Sequence, residues 1–253
     1  MKSAQPASGR RRLDDLLVAR GLFASRSRAR DAVERKTVRV DGVVAAKPGQ
    51  AVDAGAALDV DDPARTYVSR AALKLVAGLD RFGFDVTGSE VLDIGASTGG
   101  FTQVLLERGA AHVVAVDVGH DQMHPSLRTD PRVTNLEGLN ARALGRADLG
   151  GRAIGAVVSD VSFISLKLAL PPALALAEPG AFCALLVKPQ FEAGREAISK
   201  AGLLKDPDSA PAVAAELERW LVEEMGWQSL GLTPSPIAGG DGNHEFLLGG
   251  RKP

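Results

Sequence analysis

Two groups of residues in this sequence are placed for chemistry: a glycine-rich turn bracketed by acids, and four charged side chains at the ends of apolar runs. Residues 91–101 read VLDIGASTGGF, a buried strand carrying an acid near its end and then a turn that opens a helix. In an open α/β sheet, ligands bind beyond the carboxyl ends of the strands, where this turn falls. Gly95, Gly99 and Gly100 permit tight turning and close ligand approach, and Ser97, Thr98 and Phe101 complete the loop. The spacing is neither the G-x-G-x-x-G of dinucleotide binders nor a phosphate loop ending in Gly-Lys-Ser/Thr. Asp93 would repel a pyrophosphate but suits the cationic methionine end of S-adenosylmethionine. Asp117, about 20 residues beyond the turn at the end of the next strand, suits a ribose diol. The two acids together favour S-adenosylmethionine over NAD. Asn140, in EGLNAR, either reaches the adenine ring or forms an Asx turn.

The four charged residues are Lys74 in YVSRAALKL, Asp160 in VVSDVSF, Lys188 in LLVKPQF and Glu245 in GNHEFLL. Lys188 closes the apolar run AFCALLVK, an expensive place for a charge unless it is paired or used. The histidines His112, His120, His124 and His244 lack metal-ligand spacing, so no catalytic metal is expected. The single cysteine, Cys183, lies in the same apolar run and is expected to pack in the core. One cysteine excludes an internal disulfide and favours a reducing, cytoplasmic home.

The elements that must position these residues alternate from residue 69 onward. Apolar strands at EVLDIG, HVVAVDV, RVTNLEG, AIGAVVSD and AFCALLVK are separated by helices, among them SRAALKLVAGLDRF, ISLKLALPPALALA and AVAAELERWLVEEM. Such alternation predicts a parallel sheet covered on both faces. WQSLGLTPSPI and EFLLGGRK then add an antiparallel edge. No run reaches the roughly 18 apolar residues of a membrane helix, and no apolar segment follows the basic start. A soluble protein with no membrane partner is expected.

The N-terminal part reads differently. Residues 1–10 are expected to be flexible. Leu13, Leu16 and Leu17 recur at helical spacing, and Ser25 is a good N-cap for a second helix through SRSRARDAVERK. TVRVDGVVAA holds a hairpin at Asp41-Gly42, followed by the short strand ALDV, which makes an α-α-β-β unit over 11–62. Residues 63–68 are read as a linker and 69–253 as the second domain. Residues 1–40 carry 11 Lys or Arg against 4 Asp or Glu, net +7, leaving −8 for the rest. This asymmetry predicts a polyanion-binding end in which Arg12, Arg20, Arg26, Arg28, Arg30 and Lys36 meet phosphates. Arg26, Arg28, Arg30 and Arg35 cannot all face a core.

Lys74, Asp160, Lys188 and Glu245, in this order and these contexts, resemble the tetrad of FtsJ-like ribose methyltransferases. RLDDLLVARG, SRSRARDAV and VRVDG resemble an S4-type RNA-binding module. The combination is similar to the TlyA family, ribosomal-RNA 2′-O-methyltransferases often named haemolysins, and the likeness runs from about residue 12 to 251. It implies a Rossmann-like methyltransferase fold with a mostly parallel seven-stranded sheet and a small N-terminal α+β domain. It also implies methylation of cytidines in 16S or 23S rRNA, or both, on naked rRNA or ribosomal subunits. Under this resemblance Lys188 is the general base, Asp160 its orienter beside the methyl donor, and Lys74 a cation that lowers the base's pKa and positions substrate. Glu245 is then a hydrogen-bonding partner. The rival readings are a membrane-active haemolysin, a non-catalytic RNA-binding assembly factor and a small-molecule methyltransferase. The first lacks a membrane span, the second runs against the intact tetrad, and the third against the basic N-terminal module.

Overall fold

The computed structural model describes residues 9–239 and 242–253. The chain divides into two compact units between Thr66 and Tyr67, inside the segment read as a linker.

The first unit contains β1 (Arg10–Arg12), α1 (Leu13–Ala19), α2 (Arg26–Glu34), β2 (Val38–Val40), β3 (Val43–Val44), β4 (Ala51–Asp53) and β5 (Leu58–Val60). Leu13, Leu16 and Leu17 of α1 bury against Ala29, Ala32 and Val33 of α2 and against Val38. Ser25 caps α2 by accepting the Arg28 N–H. Asp41 and Gly42 both have positive φ, 49° and 81°, the geometry of a two-residue hairpin turn. Two strands were not foreseen. β1 pairs antiparallel with β4, so Arg10 belongs to a sheet rather than to a flexible start. Residues 1–8 of that expected start lie outside the described residues.

The second unit runs α3 (Ala72–Phe82), β6 (Glu90–Ile94), α4 (Gly100–Glu107), β7 (His112–Asp117), α5 (Pro125–Arg128), β8 (Val133–Glu137), β9 (Ile154–Ser159), α6 (Leu166–Ala169), α7 (Pro171–Leu176), β10 (Ala177–Val187), α8 (Pro189–Glu192), α9 (Ala210–Glu223), β11 (Gln228–Pro234) and β12 (Phe246–Arg251). One seven-stranded sheet has the order β11-β12-β10-β9-β6-β7-β8. β12 alone runs against the direction of the other six strands, and it lies between β10 and β11 rather than at the rim. The helix predicted over ISLKLALPPALALA is two short helices, because Pro171 and Pro172 offer no N–H to the preceding turn.

Both sheet faces are buried. Leu92, Ile94, Val114, Val116, Leu185 and Val187 face Trp220 and Leu221 of α9. Val91, Val113, Ala115 and Val158 face Leu75 and Leu79 of α3 and Leu105 of α4. The chain order reverses at β6, with β7 on one side and β9 on the other, and that switch point opens the crevice that holds the site.

Candidate active site

The turn after β6 is shaped by contact with the segment after β9. Gly95 has φ +83°, and a Cβ there would stand 2.9 Å from the Val161 backbone nitrogen, so only glycine fits. Asp117, at the end of β7, braces the turn: Oδ2 accepts the Ser97 N–H at 2.8 Å and Oδ1 the Gly119 N–H at 2.7 Å. Glu137, at the end of β8, accepts the N–H groups of Asp121, Gln122 and Met123 and fixes the next loop; these bonds, that to Met123 foremost, hold its carboxyl below the usual range.

Between these loops lies a cleft of about 550 Å3 lined by Gly95, Ser97, Asp117, Asn140 and Asp160 among others. Asn140 forms the Asx turn, its Oδ1 accepting the Arg142 N–H at 3.0 Å, while still lining the cleft. Val116, Leu139 and Ile164 provide apolar wall. The size lies within the range of small-molecule sites. An acid with oxygen lone pairs to spare, apolar wall and the Asp160 carboxylate suit the diol, base and cationic centre of a nucleoside carrying a sulfonium. A smaller cavity of about 150 Å3 adjoins it, lined by Thr98, Gly100, Phe101 and Lys188, and shares Gly95, Ser97, Asp160 and Ser162 with the cleft.

Two of the sequence-predicted loop residues line neither cavity. Gly99 turns the backbone at φ +93° beside Leu127. Asp93 alternates with Leu92 and Ile94 and therefore points into the layer between sheet and helices, where it is fully buried and Oδ2 accepts the Thr102 hydroxyl at 2.7 Å. Burial pushes its carboxyl up to about 7, against the opposing Thr102 hydrogen bond. Asp93 thus braces α4 behind the glycine turn and lines neither cavity, rather than facing a ligand directly as its place before the turn suggests.

The four charged residues form two ion pairs. Lys188 Nζ lies 2.6 Å from Asp160 Oδ1 and donates a hydrogen bond to Ser162 Oγ at the same distance. The Asp160 contact is close but lacks hydrogen-bond alignment. Lys74 Nζ is bonded to Glu245 Oε2, with both side chains buried, and neither residue lines the two cavities. Glu245 offsets the Lys74 charge within that pair.

Four residues near the site were not singled out by the sequence. Ser162 follows Asp160 by two positions. Phe163 and Phe191, each three residues beyond a member of the Lys188–Asp160 pair, approach to 5.1 Å, with Phe163 at φ +66° and 90% exposed. Glu192 joins the two segments by accepting from Ser165 Oγ and Leu166 N–H. An aromatic or hydroxyl soon after each strand-end charge was the available signal. Among the described residues no cluster of three or more metal-ligating side chains occurs, and no helix is long and apolar enough to cross a membrane.

The basic residues of the first unit are more constrained than a free phosphate-binding face. Arg12 and Arg26 both reach the buried Asp14, and the Arg12 hydrogen bond is the main cause that holds its carboxyl at about 2. Arg20 donates to the carbonyls of Ala54 and Ala56, Arg28 to those of Ala64 and Arg65, and Lys36 to Ala46. Arg35 pairs with Asp62 and Asp31 and is largely buried. Arg30 is exposed and enters none of these contacts.

The FtsJ-like methyltransferase family matches residues 67–252, and the S4 domain matches residues 11–58. A Mycobacterium tuberculosis protein, 16S/23S rRNA (cytidine-2′-O)-methyltransferase TlyA, is 48% identical over 94% of this chain and 89% of its own. Hemolysin A of Brachyspira hyodysenteriae is 36% identical over 93% of this chain and 98% of its own. The solved structure of a protein named as a hemolysin, from Streptococcus thermophilus, superposes with a TM-score of 0.74 at 40% identity, covering 96% of this chain and 88% of that one. Through these matches, which span both units, the chain belongs to the FtsJ-like methyltransferase family, in its TlyA group, with an S4 domain at its N-terminal end.

Proposed function

We propose that this protein transfers a methyl group from S-adenosylmethionine to the 2′-oxygen of cytidine in 16S or 23S ribosomal RNA, or both, and so works on ribosomal RNA or subunits in the cytoplasm. The observation that carries the reading is Lys188: a cation at the end of a buried strand, lining the smaller cavity and 2.6 Å from Asp160, which lines both that cavity and the cofactor-sized cleft. The reading is supported by the activity named for the 48% identical relative.

When bound, S-adenosylmethionine supplies an electrophilic methyl on a sulfonium. Asp117 would hold the ribose hydroxyls, Asn140 and the apolar wall would hold the base, and Asp160 would face the cationic centre. A ribose hydroxyl is a poor acid, so Lys188, as the free amine, takes its proton as the oxygen attacks. Lys74 and Glu245 form a buried pair that secures the start of β12 against α3 and acts on the reaction through position. The S4 unit supplies salt-dependent phosphate contacts that hold folded RNA without reading its sequence. Its scarcity of aromatic residues argues against stacking on single strands.

The test is transfer of labelled methyl to isolated ribosomal subunits and naked rRNA by wild-type protein and K188A, with mapping of the modified ribose. Label on a 2′-oxygen with wild type and its loss in K188A is the expected result. No label on any of these RNAs, or equal label with K188A, overturns the proposal.

A further inference from the structure

We infer that Ser162 is a positioning residue for methyl transfer: its hydroxyl sets the rotation of the Lys188 amine so that the nitrogen lone pair meets the acceptor hydroxyl. The inference rests on the reading of Lys188 as the base. As a free amine, Nζ has Cε, two hydrogens and one lone pair around it. Ser162 Oγ, 2.6 Å from Nζ in hydrogen-bond geometry, takes one hydrogen and confines the lone pair to the two remaining directions; the Asp160 carboxylate, also 2.6 Å away, disfavours the one that faces it.

The two contacts differ in kind. Asp160 Oδ1 stands close to Nζ, but its angles fall outside hydrogen-bond geometry, whereas the Ser162 bond is aligned. Direction therefore comes from Ser162. Lys188 Nζ then takes the 2′-hydroxyl proton while the oxygen bonds the methyl carbon and the carbon–sulfur bond breaks. The lysine ends as an ammonium whose new N–H points where the lone pair did.

Ser162 is itself held in place. Val161 packs against Gly95 so closely that no Cβ fits between them, Phe163 turns the chain at positive φ, and Asp160 N–H bonds the Ile94 carbonyl at 3.1 Å. Ser162 is also one of the four residues shared by the two cavities. It is solvent-exposed, so loss of its hydroxyl leaves no core cavity, although the buried Lys188 loses its aligned hydrogen bond. A merely structural role would therefore show as lost stability, with little effect on turnover.

The experiment compares S162A, S162T and wild type in steady-state methylation of ribosomal subunits, with KM for S-adenosylmethionine and for RNA measured separately. An amine free to sample three staggered rotations is misaligned most of the time, so S162A is expected to lower kcat by about 3- to 30-fold. Both KM values stay within about twofold, since the hydroxyl is assigned to lysine alignment rather than ligand binding. S162T, which keeps a hydroxyl, recovers most of the loss. Wild-type kcat in S162A, or equal losses in S162A and S162T, overturns the inference while leaving Lys188 as the base. An inactive wild type overturns both.

Discussion

The Glu192 carboxylate accepts the Leu166 backbone N–H at 2.9 Å, so the short helix that follows Lys188 caps the short helix that follows Asp160. The same carboxylate takes the Ser165 hydroxyl at 2.5 Å. The two strand-end segments that carry the proposed base and its acid are thus clasped a few residues beyond the site.

Removing that clasp in E192A is expected to cost roughly 1–2 kcal/mol of stability, as for a lost helix cap with a hydroxyl left unpaired. kcat/KM should fall with it. Burial raises the Glu192 carboxyl above its ordinary 4.5. An acid raised in the fold makes the native state bind its proton first, so stability falls as pH rises through the window above 4.5. E192Q, which cannot ionise, should flatten that slope in thermal melts across pH 4 to 7; a slope equal to wild type would reject the assignment.

Asp93 gives a larger effect of the same sign. Its carboxyl stands at about 7 in the fold against 3.8 for the free group, chiefly through burial. Below 3.8 both states are protonated; between 3.8 and about 7 only the unfolded state ionises, and the native state loses ground. D93N keeps an acceptor for Thr102 and removes the titration. Its melting temperature relative to wild type should rise from pH 4 to 7 and level off above, with an upper bound of about 4 kcal/mol. A difference that does not vary with pH would mean that Asp93 does not titrate in this window.

The Lys74–Glu245 pair separates stability from catalysis. E245Q strands a buried cation and is expected to destabilise by about 3–5 kcal/mol, whereas the apolar double variant K74M/E245L should restore much of the stability. If the pair acts only through position, the double variant keeps measurable methylation. Its complete inactivity in a folded protein would make one of the two a direct participant.

In the S4 unit, Arg20 and Arg30 should behave differently. Arg20 satisfies two carbonyls, so R20A is expected to lower the melting temperature as well as RNA affinity. Arg30 is exposed and outside those contacts, so R30A should leave stability within about 0.5 kcal/mol. It should weaken RNA binding and reduce the salt slope by about 1. An unchanged salt slope would remove Arg30 from the phosphate contacts.

By itself the sequence determined the alternation of strands and helices, the glycine turn at Gly95, the acid at Asp117 and the isolated charge at Lys188. Each follows from local rules: an apolar run must be buried, a positive φ in a crowded turn demands glycine, and a charge ending a buried strand needs a partner. Tertiary structure alone decided who the partners are. Asp93 looked like a ligand because it precedes the turn, but the two-residue alternation of β6 aims it at Thr102 on α4. Lys74 and Glu245 are 171 residues apart and meet only because β12 inserts beside β10, where α3 packs. The arginines of α2 read as a free basic face until Asp14 and the backbone carbonyls folded up against them. Pairings between distant segments depend on strand order and side-chain direction, and neither is written in the spacing of residues along one segment.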